Sequence, residues 1–242
     1  KNSSARKILV VLQFTVSIIL ITLTIVIGRQ LEYIRHKNIG YEKDHIISVA
    51  MAPKMSSHFD AVNSDLLKNK DINAVIRLGR DMVYGGGSTG DNDWEGKPSK
   101  SNLWFNMTYA DQSALNFFKI KITQGRNFTG SLADSTHFIV NETAVREMGL
   151  KDPIGTRLRI RTVPGTIIGV VKDFNYASVR QKIEPMVFQY SPKDCWQLYV
   201  KTTASGTKSA LNSLQKIWKS YYDDMPMNYS FLDENYQKQY MN

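Results

Sequence analysis

The sequence predicts an α+β protein: an N-terminal transmembrane and stalk helix, then an extracytoplasmic mixed α/β domain of two β-α-β units with an inserted β-rich lobe. Three observations carry that prediction. Residues Ile8 to Ile27 run for twenty positions without a charge. A strand–helix–strand pattern opens the polar region and a second one closes it. Between the two, the elements are short, and they are marked off by Gly, Pro and Asn.

A helix rises about 1.5 Å per residue, so the uncharged run covers the roughly 30 Å hydrocarbon core of a bilayer. Lys1, Arg6 and Lys7 precede it and Arg29 follows it. By the positive-inside bias the preceding end is cytoplasmic, and the region from about Tyr41 onward lies outside. Gln13, Thr15, Ser17, Thr22 and Thr24 are uncharged and can bond nearby carbonyls or a neighbouring helix. A cleaved signal peptide fits poorly, because the apolar core is long and Ile27-Gly28-Arg29-Gln30 offers no small-residue cleavage site. A buried soluble helix would have to be apolar on every face for about five turns. The chain does not begin with Met and reads as a piece of something longer.

The composition is that of a folded protein, with 42% hydrophobic and 22% charged residues. The net charge of +9 raises the question of nucleic acid, and its distribution answers it. Residues 1–43 hold seven Lys or Arg against Glu32 and Glu42, which leaves only +4 for the rest. No dense Lys/Arg cluster marks a phosphate-binding face, so no nucleic-acid partner is expected. Cys195 is the single cysteine and excludes an intrachain disulfide. Three N-x-S/T sequons, at Asn106, Asn127 and Asn141, carry no functional weight.

Past the bilayer, Ile27, Leu31 and Ile34 keep helical spacing, so the helix is expected to continue as a stalk to about Lys37 and to end before Gly40. Asp44 to Met51 reads as a strand stopped by Pro53, and Ser57 to Asn69 as a helix. That helix carries Phe59, Val62 and Leu66 on one face and has Ser56 or Ser57 as cap. Ile72 to Leu78 is a second strand. Tyr84 to Gly90, with three consecutive glycines but no following Lys-Ser/Thr, is a flexible connector rather than a phosphate loop.

The middle elements follow in the same way. Leu103 to Tyr109 is a strand, and Asp111 caps a helical turn ending near Phe118. His137 to Val140 is a strand, and Asn141 caps a helix Glu142 to Met148 that Gly149 closes. Arg157 to Val163 alternates, with Leu158 and Ile160 inward and Arg157, Arg159 and Arg161 outward as a solvated sheet edge. Pro164-Gly165 is expected to turn the chain into a partner strand, Thr166 to Lys172.

Met186 to Tyr190 and Trp196 to Thr202 are the next strands. The helix Thr207 to Tyr222 carries Leu211, Leu214, Ile217, Trp218 and Tyr221 on one side. Asn228 to Leu232 is the last strand, after which Asp233 caps a polar helical start. The opening and closing elements are expected to share one sheet. The resulting division places the span and stalk at 1–43, the core at 44–90 and 184–232, the lobe at 91–183, and the start of a return stalk at 233–242.

A search for chemistry finds little. His36, His45, His58 and His137 are scattered without metal-ligand spacing, and no G-x-S-x-G elbow is present. Cys195 reads as a small core residue, and Asp91/Asp93 and Asp223/Asp224 as solvated loop carboxylates. No catalytic residue, cofactor or metal is expected.

The apolar run with its sequel, Gln30-Leu31-x-Tyr33-Ile34 and then Asn38-Ile39-Gly40-Tyr41, resembles the first transmembrane helix of FtsX/MacB-type ABC transporter permeases. Further matches follow in order: Gly125-Arg126-Asn127-Phe128, Val140-Asn141-Glu142-Thr143-Ala144, Asp152-Pro153-Ile154-Gly155, and Ile168-Gly169-Val170-Val171-Lys172-Asp173-Phe174-Asn175. The resemblance implies a periplasmic core domain of a permease subunit in the inner membrane, surrounded by lipid and non-catalytic itself. It further implies a partner ABC ATPase in the cytoplasm, a permease homodimer or heterodimer, and a periplasmic adaptor or substrate protein as a further partner. It assigns a coupling role to Gln30, Leu31, Tyr33 and Ile34 in the stalk, and structural roles to Gly125, Arg126, Phe128, Asn141, Gly155, Gly169, Asp173 and Phe174. The same span, stalk and α/β domain would also suit an extracytoplasmic sensor domain of a membrane receptor.

Overall fold

The computed structural model describes residues 2–36, 40–82, 87–176 and 182–238; within the first helix, side chains are described from Arg6 to Gln30. The chain forms two compact units, residues 1–38 and 39–242.

The first unit is one helix, α1 (Asn2–His36). Its Arg6–Gln30 stretch, with a mean hydropathy of 2.6 over its most apolar 18 residues, is long and apolar enough to cross a membrane, and that apolar part is buried by nothing in its own chain. The hydroxyls of Thr15, Thr22 and Thr24 donate to the carbonyls of Val11, Ile18 and Leu20 at 2.8–2.9 Å. That pairing satisfies them inside the helix, as a hydrocarbon setting demands. The helix holds through His36 as expected; Lys37 lies outside the described residues.

The second unit is built on a twelve-stranded mixed sheet among the described residues. Its first quarter comprises β1 (Ile46–Ala50), then α2 (Pro53–Ser57), α3 (Phe59–Leu66) and β2 (Ile72–Leu78). Pro53 starts α2 rather than merely ending the strand, since its missing N–H costs nothing in a first turn. The backbone breaks at His58 (φ −111°, ψ 26°), so the expected Ser57–Asn69 helix is the shorter α3, preceded by an unexpected α2, and neither Ser56 nor Ser57 caps it. Phe59, Val62 and Leu66 form its buried face as expected.

The middle of the chain supplies β3 (Gly87–Thr89), β4 (Asn92–Trp94), β5 (Phe105–Ala110), α4 (Ala114–Phe117) and β6 (Ile122–Gly125). It continues with β7 (His137–Asn141), α5 (Glu142–Met148), β8 (Arg157–Ile160) and β9 (Val163–Val171). The chain closes with β10 (Met186–Tyr190), β11 (Gln197–Thr202), α6 (Thr207–Tyr221), β12 (Tyr229–Phe231) and α7 (Leu232–Lys238).

The strand order is β12-β1-β11-β2-β5-β10-β7-β9-β8-β4, with β3 on β5 and β6 on β9. The two β-α-β units interlock. β11 lies antiparallel between β1 and β2, while β1 lies antiparallel between β11 and β12. Each unit is therefore a split β-α-β whose gap the other fills. This explains why Ile46-Ile47-Ser48-Val49 is buried throughout: Ile46 faces the core holding Tyr199, Phe118 and Leu232, and Ile47 and Val49 face the one under α3 and α6.

Several local expectations are corrected. The hairpin between β8 and β9 turns at Arg161-Thr162, with Arg161 at φ +53°, and Pro164-Gly165 lies within β9. The ladder of β9 with β7 begins only at Thr166, so Pro164 has a strand neighbour on one side alone and its missing donor is tolerated. β8 is not an edge, because β4 lies outside it, and Arg157 and Arg159 meet Asp93 and Asp91 at 3.3 and 2.8 Å. Those two carboxylates thus belong to a cross-strand pair rather than a free loop. Gly87–Thr89 of the expected Tyr84–Gly90 connector is strand, Gly90 follows it outside any strand, and 84–86 lie outside the described residues. α7 begins at Leu232, so Asp233 sits inside its first turn instead of capping it; residues 239–242 lie outside the described residues.

Candidate functional site

Of the stalk residues named by the sequence, Gln30 is exposed on α1; Leu31, Tyr33 and Ile34 are on the same helix, with side chains outside the described residues. The motif residues of the domain fall into three connected structures.

The first is the crossing of β6 and β9, where Gly125 pairs with Gly169. Gly125 has φ +71°, and a Cβ there would run into the Ile168 carbonyl. A Cβ on Gly169 would stand 2.5 Å from the Arg126 carbonyl oxygen. Side chains are excluded from both positions, and the backbones close to a 3.0 Å bond from Arg126 N–H to Ile168 O. Gly155 lies nearby in sequence register, its N–H donating to Ile167 O at 2.8 Å. Phe128 is buried with its ring 5.5 Å from that of Tyr190. The Arg126 guanidinium lies 3.6 Å from Asp134, whose side chain is buried. Burial alone would raise the Asp134 carboxyl. Hydrogen bonds from His137, from the hydroxyl and N–H of Thr129 and from the Gly130 N–H outweigh it and hold the pKa at about 2.

The second is the N-terminus of α5. Asn141 Oδ1 accepts from Ala144 N–H and from Met186 N–H, both at 2.9 Å, while Nδ2 donates to Glu184 O at 3.0 Å. One buried amide therefore caps α5 and ties it to β10, and Gly149 at φ +72° closes the helix. Asp173, at the end of β9, accepts from the Thr143 N–H at 2.8 Å and its hydroxyl at 2.7 Å. Glu142 accepts the Asp173 N–H in return at 3.1 Å.

The third is where the chain enters the domain. Phe174 is buried among Tyr41, Tyr176 and Phe188, with ring centroids 6.0–6.1 Å away. Gly40 lies against it at φ +89°, where a Cβ would come within 2.8 Å of Phe174 Cβ. Tyr41 meets Phe118 edge-on at 6.0 Å, and the Glu42 N–H donates to Phe118 O at 2.8 Å. Burial would raise the Glu42 carboxyl, but Lys201 at 2.5 Å and Lys119 at 3.1 Å bring it below its usual value. The leaving helix α7 buries Leu232 and Tyr236 in the same core cluster as Tyr41. The sequence marked Phe174 but gave Gly40-Tyr41-Glu42 no partner. A Gly-aromatic-acid triplet just past the expected end of the helix was the available signal.

Among the described residues no group of three or more His, Cys, Asp or Glu side chains is placed to hold a metal. Cys195 is free and buried, and burial pushes its thiol well above the usual range, which makes a poor nucleophile.

The fold and the apolar helix together define the class: a mixed α/β domain preceded by a helix long and apolar enough to cross a membrane. The model of the MacB-like periplasmic core domain matches residues 8–211, and the chain belongs to that family. The crystal structure of the periplasmic region of MacB from Actinobacillus actinomycetemcomitans is similar, with a TM-score of 0.57 and 15% identity over 86% of this chain and 98% of that one. The extracellular domain of the noncanonic ABC-type transporter YknZ from Gram-positive bacteria gives 0.56 and 13% over 76% and 97%. A domain of a protein described as a permease from Porphyromonas gingivalis gives 0.54 and 18% over 77% and 89%. At these identities the structures share the fold. No curated protein matches the chain.

Proposed function

We propose that this chain is the outer part of an ABC transporter permease subunit, with α1 in the inner membrane, its basic end in the cytoplasm and the bulk of the chain in the periplasm. The observation that carries the reading is the extent of the family match. It begins at Ile8, inside the apolar helix, and runs through most of the domain, so helix and domain are matched as one unit.

The division of labour proposed at the level of sequence goes with it. A cytoplasmic ABC ATPase subunit supplies the work, the permease pairs with itself or with a second permease, and the helix past Gln30 passes the motion outward. The domain, as a core (44–90 and 184–232) carrying a lobe (91–183), delivers that motion to a substrate or to a periplasmic adaptor. A helix transmits axial displacement because each residue is held by a bond one turn away. Breaking it should uncouple the two ends.

The test is Leu31→Pro in the complete permease, reconstituted with its ATPase in liposomes. Proline in a helix interior costs about 3 kcal/mol and kinks the axis. ATP turnover should persist while the output measured outside falls at least about tenfold, with the domain still folded by tryptophan fluorescence. Output equal to wild type would remove mechanical coupling through this helix.

A further inference from the structure

We propose that the groove bounded by α2, Arg77 of β2, the 130–135 turn and the 190–196 connection binds a small anionic amphiphile, an acid with one carboxylate or phosphate group on an apolar body. The inference goes beyond the transporter reading and does not depend on it.

The groove encloses about 780 Å³, inside the range of small-molecule sites. Two large apolar side chains stand in water there: Leu132 is 93% exposed and Trp196 42%. Covering them supplies the driving force for an apolar body, at roughly 25 cal/mol per Å² removed from water.

The polar groups decide the head of the ligand. Arg77 and Lys193 line the groove and no carboxylate does. Neither forms an ion pair among the described residues. Asp111, which is buried, accepts the backbone N–H of Arg77 and attracts its guanidinium through space, without forming a side-chain ion pair with it. The Arg77 guanidinium is held over the Phe59 ring at 4.3 Å, its Nη1 reaches Ser56 O only at 3.5 Å, and its Nε is buried without a hydrogen-bond partner. A guanidinium carries five N–H donors, so most of its capacity is unspent.

Four of the five serines lining the groove already donate: Ser56 to Cys195 O, Ser57 to Lys54 O, Ser135 to Leu132 O, and Ser191 to the Asp194 carboxylate, while the Ser131 hydroxyl accepts from Thr129. A sugar or a peptide backbone would find few neutral donors here. An anion finds two cations with no side-chain ion pair among the described residues, Arg77 stacked on Phe59 and only partly offset by the buried Asp111, and Lys193 exposed.

The chain in lipid nanodiscs is titrated calorimetrically with octanoate, octyl phosphate, octanol and octylammonium, with empty nanodiscs subtracted. One acid or both should saturate at one per chain, and which one does tells a carboxylate site from a phosphate site. Octanol and octylammonium should bind at least about tenfold more weakly, the scale of one charge-assisted bond. Arg77→Gln should bring the acid to the octanol level, Arg77→Lys should restore part of the loss, and Trp196→Ala should weaken every probe. Absence of saturable acid binding overturns the proposal. So does octylammonium binding as tightly as the acid, or unchanged acid affinity in a folded Arg77→Gln chain. Should Arg77→Gln fail to fold, the exposed Lys193→Gln takes its place: a several-fold loss supports the site, and wild-type affinity overturns it.

Discussion

Asn141→Ala isolates what a single buried amide contributes to this domain. The substitution removes the side-chain cap from α5, worth about 1 kcal/mol. It also leaves the Met186 N–H, which bonds Asn141 Oδ1 at 2.9 Å, buried without a partner. An orphaned buried donor costs about 1–3 kcal/mol. The Glu184 carbonyl loses its donor too, but Glu184 is exposed and water can replace it. The expected loss is therefore about 2–4 kcal/mol. Asn141→Asp keeps the oxygen that serves both N–H groups and places a negative charge at a helix N-terminus, so it should cost less than half as much. Urea unfolding of the full chain in detergent measures both, with the buried Trp94 and Trp218 as reporters. The slope m should not change, since the same surface is exposed on unfolding. A loss under about 1 kcal/mol for Ala, or equal losses for Ala and Asp, would show that Asn141 does not join α5 to β10 in the way the geometry implies.

Two further outcomes use the same titration. Gly125→Ala should cost more than about 3 kcal/mol, because strain at φ +71° adds to a collision with the Ile168 backbone, whereas Gly155→Ala, at φ +86° with open space around it, should cost only about 1–2 kcal/mol. Equal costs would mean that strain alone, and not the closeness of β6 to β9, governs the site. The Asp134 carboxyl is depressed from 3.8 to about 2 in the folded chain, so its contribution is fully present above pH 4 and is lost as pH falls through 2. At 1.36 kcal/mol per pKa unit this is about 2 kcal/mol, and Asp134→Asn should flatten that part of the acid limb; an unchanged acid limb would contradict it.

What the sequence made legible was local. Asn141 and Gly149 bracket α5 as expected, because a cap and a left-handed stop act within one turn of the helix they bound. Ile72–Leu78 and Met186–Tyr190 were placed to the residue, since β-branched and aromatic runs between polar stretches admit few alternatives. What stayed hidden depends on partners far along the chain. Asp91 and Asp93 look like loop carboxylates until β8, more than sixty residues on, brings Arg159 and Arg157 against them. Pro164-Gly165 carries the strongest turn signal in its segment, yet Arg161 makes the turn and the proline sits where only one neighbouring strand pairs. The glycines of β6 and β9 were picked out by motif, but that they face each other is a register, which no local pattern encodes.

Strand order adds a consequence for how this domain can be moved. Ile47 pairs with Phe231, so the end at which the chain enters β1 lies beside the end at which it leaves β12. Everything between those two positions is suspended from adjacent points on one sheet edge. Displacing both points together moves the domain as a body and loads no ladder. Displacing them against each other loads the β1–β12 pair, which has three register positions, before the β1–β11 pair, which has five. Antiparallel strands pulled from adjacent ends open one bond pair at a time, so β12 is where relative motion would be felt first. The residues flanking it resist that motion from both sides: Tyr41 before β1, and Leu232 and Tyr236 after β12, are all buried in one aromatic core. The interlocked β-α-β units and that shared core therefore lock the entry and exit of the domain to each other, so that a force on one is carried by the other before the sheet unravels.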